Sequence, residues 1–270
     1  METHILLFVV AVVATAINSV AGGGGLLTFP VLMTILPPVT ADATSAVALL
    51  PAYITSTWAG RKHLASVRHW FWRLLLPSLL GSLLGALLLN WSGNRSFTAL
   101  IPWLILIATL LTLRPLLTRT AHSGQSAAAA APTETTSAAA AGLQVGASVL
   151  LFVVSIYGGY FGAGIGILVI AAFDLIGLTD IHSVLPLKNA LCGSLRAIAV
   201  TVFVIEGKVN WEYGSVMVAG ALLGGYMGGS VVRWMNRTVV RVGIVVLGLG
   251  IAAYYFWTTY AAGIHLLGSD

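Results

Sequence analysis

Charge is what this sequence most lacks. Only 8% of its 270 residues are Asp, Glu, Lys or Arg, against about 25% in an average soluble chain. So few charges cannot cover a water-facing surface, and a soluble globular domain is excluded. Cysteine is nearly absent too: Cys192 alone rules out an intramolecular disulfide and any cysteine-based metal cluster. The histidines (His4, His63, His69, His122, His182 and His265) fall at no ligand spacing, and neither HExxH nor GxSxG occurs. No nucleophile–base pair suggests itself either. No enzyme chemistry, cofactor or metal is therefore expected. A GxGxxA match, Gly248-Leu249-Gly250-Ile251-Ala252-Ala253, lies in the last apolar run with no βαβ pattern around it, so it is not read as a dinucleotide site.

Apolar runs take the place of charge. Hydrophobic residues make up 58% of the chain, and mean hydropathy is +0.97. Runs recur at residues 5–17, 26–36, 43–59, 74–89 and 97–113, and again at 143–156, 165–178, 185–205, 211–232 and 239–257. This is the pattern of a polytopic membrane protein. The first run could pass for a signal peptide, but Met1-Glu2-Thr3-His4 lacks a basic flank, so it is read as a retained segment. Trp70, Trp72, Trp91, Trp211, Trp234 and Trp257 fall at run ends, as interfacial belts do.

Glycine interrupts this pattern twice. Ser19-Val20-Ala21-Gly22-Gly23-Gly24-Gly25-Leu26-Leu27-Thr28-Phe29-Pro30 holds four consecutive glycines inside an apolar run. Each costs about 1 kcal/mol relative to alanine in a helix interior, a cost a plain lipid-spanning helix would avoid. Tyr157-Gly158-Gly159-Tyr160-Phe161-Gly162-Ala163-Gly164-Ile165-Gly166-Ile167 repeats the motif: Gly22 answers Gly162, Gly24 answers Gly164 and Leu27 answers Ile167. Broken backbone at membrane depth is tolerated where it is buried in protein or lines a cavity. Glycine-interrupted segments in matching positions of two halves point to a transporter's binding site. The runs after the glycines are too short to cross, so each motif reads as a hairpin, re-entrant or fully spanning. Gly81-x3-Gly85 and Gly220-x3-Gly224 also correspond; such spacing lets helices approach closely.

The expected fold is therefore an all-α polytopic membrane protein of two repeats, residues 1–117 and 142–270, each a glycine-broken hairpin plus three transmembrane helices. Residues 118–141, rich in Ala, Ser and Thr, read as a flexible cytoplasmic linker. An odd number of segments per half makes the repeats inverted. Nine basic residues (Arg61, Lys62, Arg68, Arg73, Arg114, Arg119, Arg233, Arg237 and Arg241) then share one side, and Arg95 and Lys208 the other. The positive-inside rule makes the first side cytoplasmic. This distribution also accounts for the net charge of +5 without nucleic acid.

The residues now resemble a known family, the sulfite exporter TauE/SafE family of membrane transporters. Ala21-Gly22-Gly23-Gly24-Gly25-Leu26-Leu27 with Pro30, the second glycine motif, and Lys188-Asn189-Ala190 carry the resemblance. It covers nearly the whole chain outside the linker. The second copy departs from the first at Ile165 and at Ile170, where the first has Pro30. The resemblance implies a bacterial inner-membrane carrier of small, often sulfur-containing anions such as sulfite or sulfonates, and leaves the particular anion open.

Candidate binding residues are Gly22, Gly23, Gly24, Gly25, Gly162 and Gly164, whose following helix ends offer N–H groups and positive dipole ends to an anion. Lys188 and Arg196 are the cations inside runs, and charge at membrane depth faces a cavity or a partner. Asn189 and Arg196, seven apart, share a helix face, with Cys192 between them. Lys188 lines the path or snorkels to the interface; Arg196 anchors the anion or pairs with Asp174. Thr44 and Ser45 stand where the second half has Lys188 and Asn189, to bond an oxyanion or to pack helices. Asp174 couples a proton or forms a salt bridge, and Asp42 and Asp180 read as cap or interface residues. The expected activity is secondary transport of a small oxyanion by alternating access, most consistent with export; the alternative is an anion channel of the same architecture. Expected partners are the anion and the bilayer, with nucleic acid excluded and a homo-oligomer left open.

Overall fold

The computed structural model describes residues 2–20, 22–119, 137–178, 180–231 and 237–261. Among these the chain is helical throughout, without a strand. Its elements are α1 (Glu2–Val20), α2 (Gly25–Met33), α3 (Pro38–Ala59), α4 (Arg61–Leu64), α5 (Arg68–Arg119), α6 (Ser137–Tyr160), α7 (Ile165–Leu175), α8 (Ile181–Ile205), α9 (Trp211–Val231) and α10 (Arg237–Phe256).

The solvation pattern is that of a protein built for lipid. Ile5, Val9 and Val13 on α1, Leu76 and Leu80 on α5, and Val145, Val149 and Val153 on α6 face outward. Thr15, Asn18, Thr28, Asp42, Lys188 and Arg196 are buried. Exposed aliphatic side chains around a polar interior are favourable only where the surrounding solvent is itself apolar. The tract of residues 61–110 and the helices α1 and α8 are long and apolar enough to cross a membrane. By contrast, α2 has nine residues and α7 eleven, rising about 14 and 16 Å. That is about half of the ~30 Å hydrocarbon core.

Local sequence explains the boundaries. Pro37-Pro38 opens α3, with proline at the first helical position, where a missing N–H costs nothing. Asp180 caps α8: its carboxylate accepts from the His182 and Ser183 amides at 3.2 Å and from the Ser183 hydroxyl at 2.6 Å. Those bonds, the Ser183 hydroxyl first, hold the carboxyl below the usual carboxylate range. The break expected at residues 90–95 is present: Gly93 leaves helical geometry at φ 65° and ψ 171°, so the tract named α5 is two helices that meet there. Ser92 and Thr98 bond back to carbonyls four residues earlier, so helix resumes on either side. Both flanks of the expected linker are helical, Thr118-Arg119 in α5 and Ser137–Ala141 in α6; residues 120–136 lie outside the described residues, as does Arg233.

Packing uses the paired glycines. Gly81 and Gly85 on α5 lie against the Phe152 and Ile156 carbonyls of α6. Gly220 and Gly224 on α9 lie against the Phe8 and Val12 carbonyls of α1. A methyl group at any of them would land on facing backbone. At one end of the bundle His4 Nε2 lies 3.3 Å from Glu212 Oε1, and Asn94 Oδ1 accepts from the Val39 amide at 3.1 Å. Tyr160, the last residue of α6, donates to Ser92 at that end. At the other end the His63 and His182 rings are 5.7 Å apart.

Candidate functional site

The glycine motifs end helices in the same way. Gly22, just past α1, has φ 81°, and Gly162, just past α6, has φ 70°. Both adopt the left-handed conformation that favours glycine at a helix end. The Gly22 amide bonds to Asn18 O at 3.1 Å and the Gly162 amide to Tyr157 O at 3.2 Å. The breaks then meet. A Cβ on Gly22 would lie 2.7 Å from Gly166 Cα, and one on Gly25 would lie 2.9 Å from Ala163 Cα. The N-terminal ends of α2 and α7 are thus pressed against each other's breaks. Gly24 and Gly164 are not conformational equals: Gly24 is right-handed helical (φ −56°), whereas Gly164 is left-handed (φ 79°). The two breaks are equally long, four residues each, since α2 starts at Gly25 as α7 starts at Ile165.

Helix α8 aims two cations at these breaks. Lys188 is wholly buried, and its Nζ donates to Asn18 O in the last turn of α1 at 3.2 Å. Arg196 is 2% exposed, and its Nη1 donates to Gly158 O in the last turn of α6 at 2.9 Å. Each cation therefore sits at the negative end of a helix dipole. Gly162 leaves room for the guanidinium, which occupies the space a Cβ would take. The snorkelling alternative for Lys188 is overturned by its full burial. Asp174 is exposed in the last turn of α7, whereas Arg196 is buried and its guanidinium bonds to the Gly158 carbonyl. Asp42 does not cap α3; it lies one turn inside, 1% exposed.

Other polar groups complete the interior. Thr28 and Ser45 hydroxyls are 2.6 Å apart, joining α2 to α3. Thr44 accepts from the Asn210 amide at 3.0 Å and so is committed to holding the start of α9. Asn189 is 4% exposed. Among the described residues, Asn189 Oδ1 and Asp42 Oδ2 are buried without a hydrogen-bond partner. Gly22, Gly23, Gly24, Gly25, Gly162 and Gly164 are all buried. Sequence reading passed over Asn18 and Tyr157. Asn18 receives Lys188 on its carbonyl and the Gly24 amide on its side chain at 3.4 Å. Tyr157 donates to Ala163 O at 2.8 Å, pinning the second break. Their signal was position: each is a polar side chain in the last apolar turn before the glycines.

Chemically, the arrangement holds positive charge. Among the described residues Lys188 and Arg196 each make one hydrogen bond, while an ammonium has three donors and a guanidinium five. An apolar exterior around two buried cations at broken helices is the build of a membrane transporter. The chain belongs to the sulfite exporter TauE/SafE family, whose sequence model matches residues 7–255. A Haemophilus influenzae protein described as "Probable membrane transporter protein" is 30% identical over 251 residues, covering 92% of each chain. Escherichia coli "Probable membrane transporter protein YfcA" is 28% identical, covering 98% of this chain and 94% of its own. Bacillus subtilis "Probable membrane transporter protein YunE" is 28% identical, covering 91% and 94%. No solved structure matches the chain.

Proposed function

We propose that this protein is a secondary transporter of the bacterial inner membrane. It exports a small sulfur-containing oxyanion, sulfite or an organosulfonate, by alternating access. The observation that carries this reading is the placement of Lys188 and Arg196. Both are buried on α8, both hold the C-terminal carbonyls of a glycine-broken helix, and both keep donors to spare. An anion leaving water for the interior loses several kcal/mol of hydration even after relaxation. Helix-end amides return about 0.3–1 kcal/mol each and up to about 2 when partly buried, so full charges are required. Asn189 and the α2 and α7 N-termini complete the cradle.

Residues 1–117 and 142–270 form two inverted repeats in this proposal. The exchange of partners supports it: α9 glycines pack on α1 as α5 glycines pack on α6. So does the placement of ends, since His4 at the start of α1 and Tyr160 at the close of α6 lie at one end of the bundle. The end carrying His63 and His182 is then cytoplasmic, as the nine basic residues require. The closed state of the site, with Lys188, Asn189 and Arg196 at most 4% exposed, favours a carrier over a channel. Flux in proteoliposomes, compared across sulfite, sulfate, thiosulfate and sulfonates, tests the reading. Saturable flux of one or more of these anions supports it, and no flux of any would overturn it.

A further inference from the structure

Two grooves lie along α4 and the first turns of α5, lined by none of the candidate binding residues. One, of about 330 Å³, is lined by Arg61, Leu64, Arg68, Phe71 and Trp72. The other, of about 300 Å³, lies where α5 meets α6, between Leu76, Leu80, Val149 and Phe152, with Ser148 as its one polar lining residue. Trp72, Leu76 and Leu80 are four residues apart on one face of α5 and are exposed. The stripe runs about 12 Å from the first groove to the second.

We propose that these grooves together bind one anionic glycerophospholipid, its phosphate between Arg61 and Arg68 and an acyl chain along Trp72, Leu76 and Leu80 into the α5–α6 crevice. Charge points to the headgroup. Arg61 is fixed in place, donating to Trp58 O at 3.1 Å with its guanidinium 4.6 Å above the Trp58 ring. Among the described residues neither arginine has an ion-pair partner. Lys62, Arg73 and two histidines stand nearby in the chain, while Asp and Glu are absent from residues 43–133. Leu64, Val67, Trp70 and Phe71 face the core, whereas Arg61, Lys62 and Arg68 face outward. That division is the one an interfacial segment shows. The crevice selects a lipid over a free phosphate or an acidic peptide, because neither carries a chain to fill it. One wall of the crevice belongs to α5 and the other to α6, so a bound lipid would bridge the parts that move in transport.

Native mass spectrometry of the purified full chain tests this, with dioleoyl phosphatidylglycerol and dioleoyl phosphatidylcholine as probes. The phosphatidylglycerol is expected to bind at least about fivefold tighter, the effect of one interfacial arginine. The pair Arg61→Gln with Arg68→Gln should abolish that preference, and Arg61→Lys with Arg68→Lys should keep it. Val149→Trp, filling the crevice from an exposed position, should weaken the phosphatidylglycerol severalfold. Inorganic phosphate should not displace it. Equal binding of the two lipids, a preference that survives the double glutamine variant, indifference to Val149→Trp, or displacement by phosphate would each overturn the proposal.

Discussion

The two glycine breaks share a backbone and differ in chemistry. In both, a left-handed glycine closes the incoming helix, and a cation from α8 holds a carbonyl of that helix's last turn. Yet α3, which follows the first hairpin as α8 follows the second, supplies no cation. It contributes Asp42, Thr44 and Ser45, and the last two are engaged in holding α9 and α2. Geometry was thus kept in both halves while positive charge was concentrated in one. In the proposed function a duplicated scaffold would need its hinge twice and a small anion its counter-charge once, and two cations on one helix would stay with the anion while the surrounding helices rearrange.

The largest expected effect comes from filling the space where break and cation meet. Gly162→Leu should abolish flux, because a side chain there is strained and takes the place of the Arg196 guanidinium. Gly22→Leu should do the same through its contact with Gly166. Flux in proteoliposomes, with membrane insertion checked by immunoblot, measures both; normal flux in either would separate the breaks from transport. Arg196→Gln should weaken anion binding tenfold or more, about 1.4 kcal/mol, as read by competition against labelled sulfite. Lys188→Gln retains a donor for Asn18 O and should lower flux more than affinity. Asp42→Asn sharpens the contrast between halves in the opposite direction. Asp42 Oδ2 is buried without a hydrogen-bond partner among the described residues; an amide there cannot carry the negative charge that would repel an anion, so anion binding should tighten severalfold, and weaker binding would mean that Asp42 itself contacts the cargo. The smallest effect belongs to Thr28→Val. Losing the bond to Ser45 should cost about 1 kcal/mol of stability, measured by thermal unfolding, with transport kept.

Much of this was legible in the sequence, and the reasons are physical. The apolar runs, the two glycine motifs and the placement of Lys188, Asn189 and Arg196 on one helix are local features with a helical period. The short α2 and α7 followed from length alone. What lay beyond reach was partnership across the chain. Lys188 meets a carbonyl 170 residues away and Arg196 one 38 residues away. A backbone carbonyl has no residue type to give it away, so the sequence offered Asp174 as the visible counter-charge. Asp42 was read as a cap or interface residue because it closes the short segment after the first glycines, yet α3 starts at Pro38 and carries the carboxylate inward. The break between the two spans of α5 was legible as well, because polar residues and Gly93 cluster there and Gly93 is where helical geometry is lost. Sidedness is proposed from charge alone. Cysteines at Ser96, which is exposed, and at Ser126, in a Cys192→Ala background, test it: an impermeant thiol reagent outside the cell should label only the first.

The most direct test of the central claim is equilibrium binding of sulfite to purified protein by calorimetry, comparing the parent chain with Lys188→Gln/Arg196→Gln. With both buried charges gone, only helix-end amides remain, and the affinity should fall about a hundredfold or more. Arg196→Lys, which keeps the charge, should lose far less. An affinity for sulfite that stays within about twofold in the double variant would place the anion elsewhere and contradict the account.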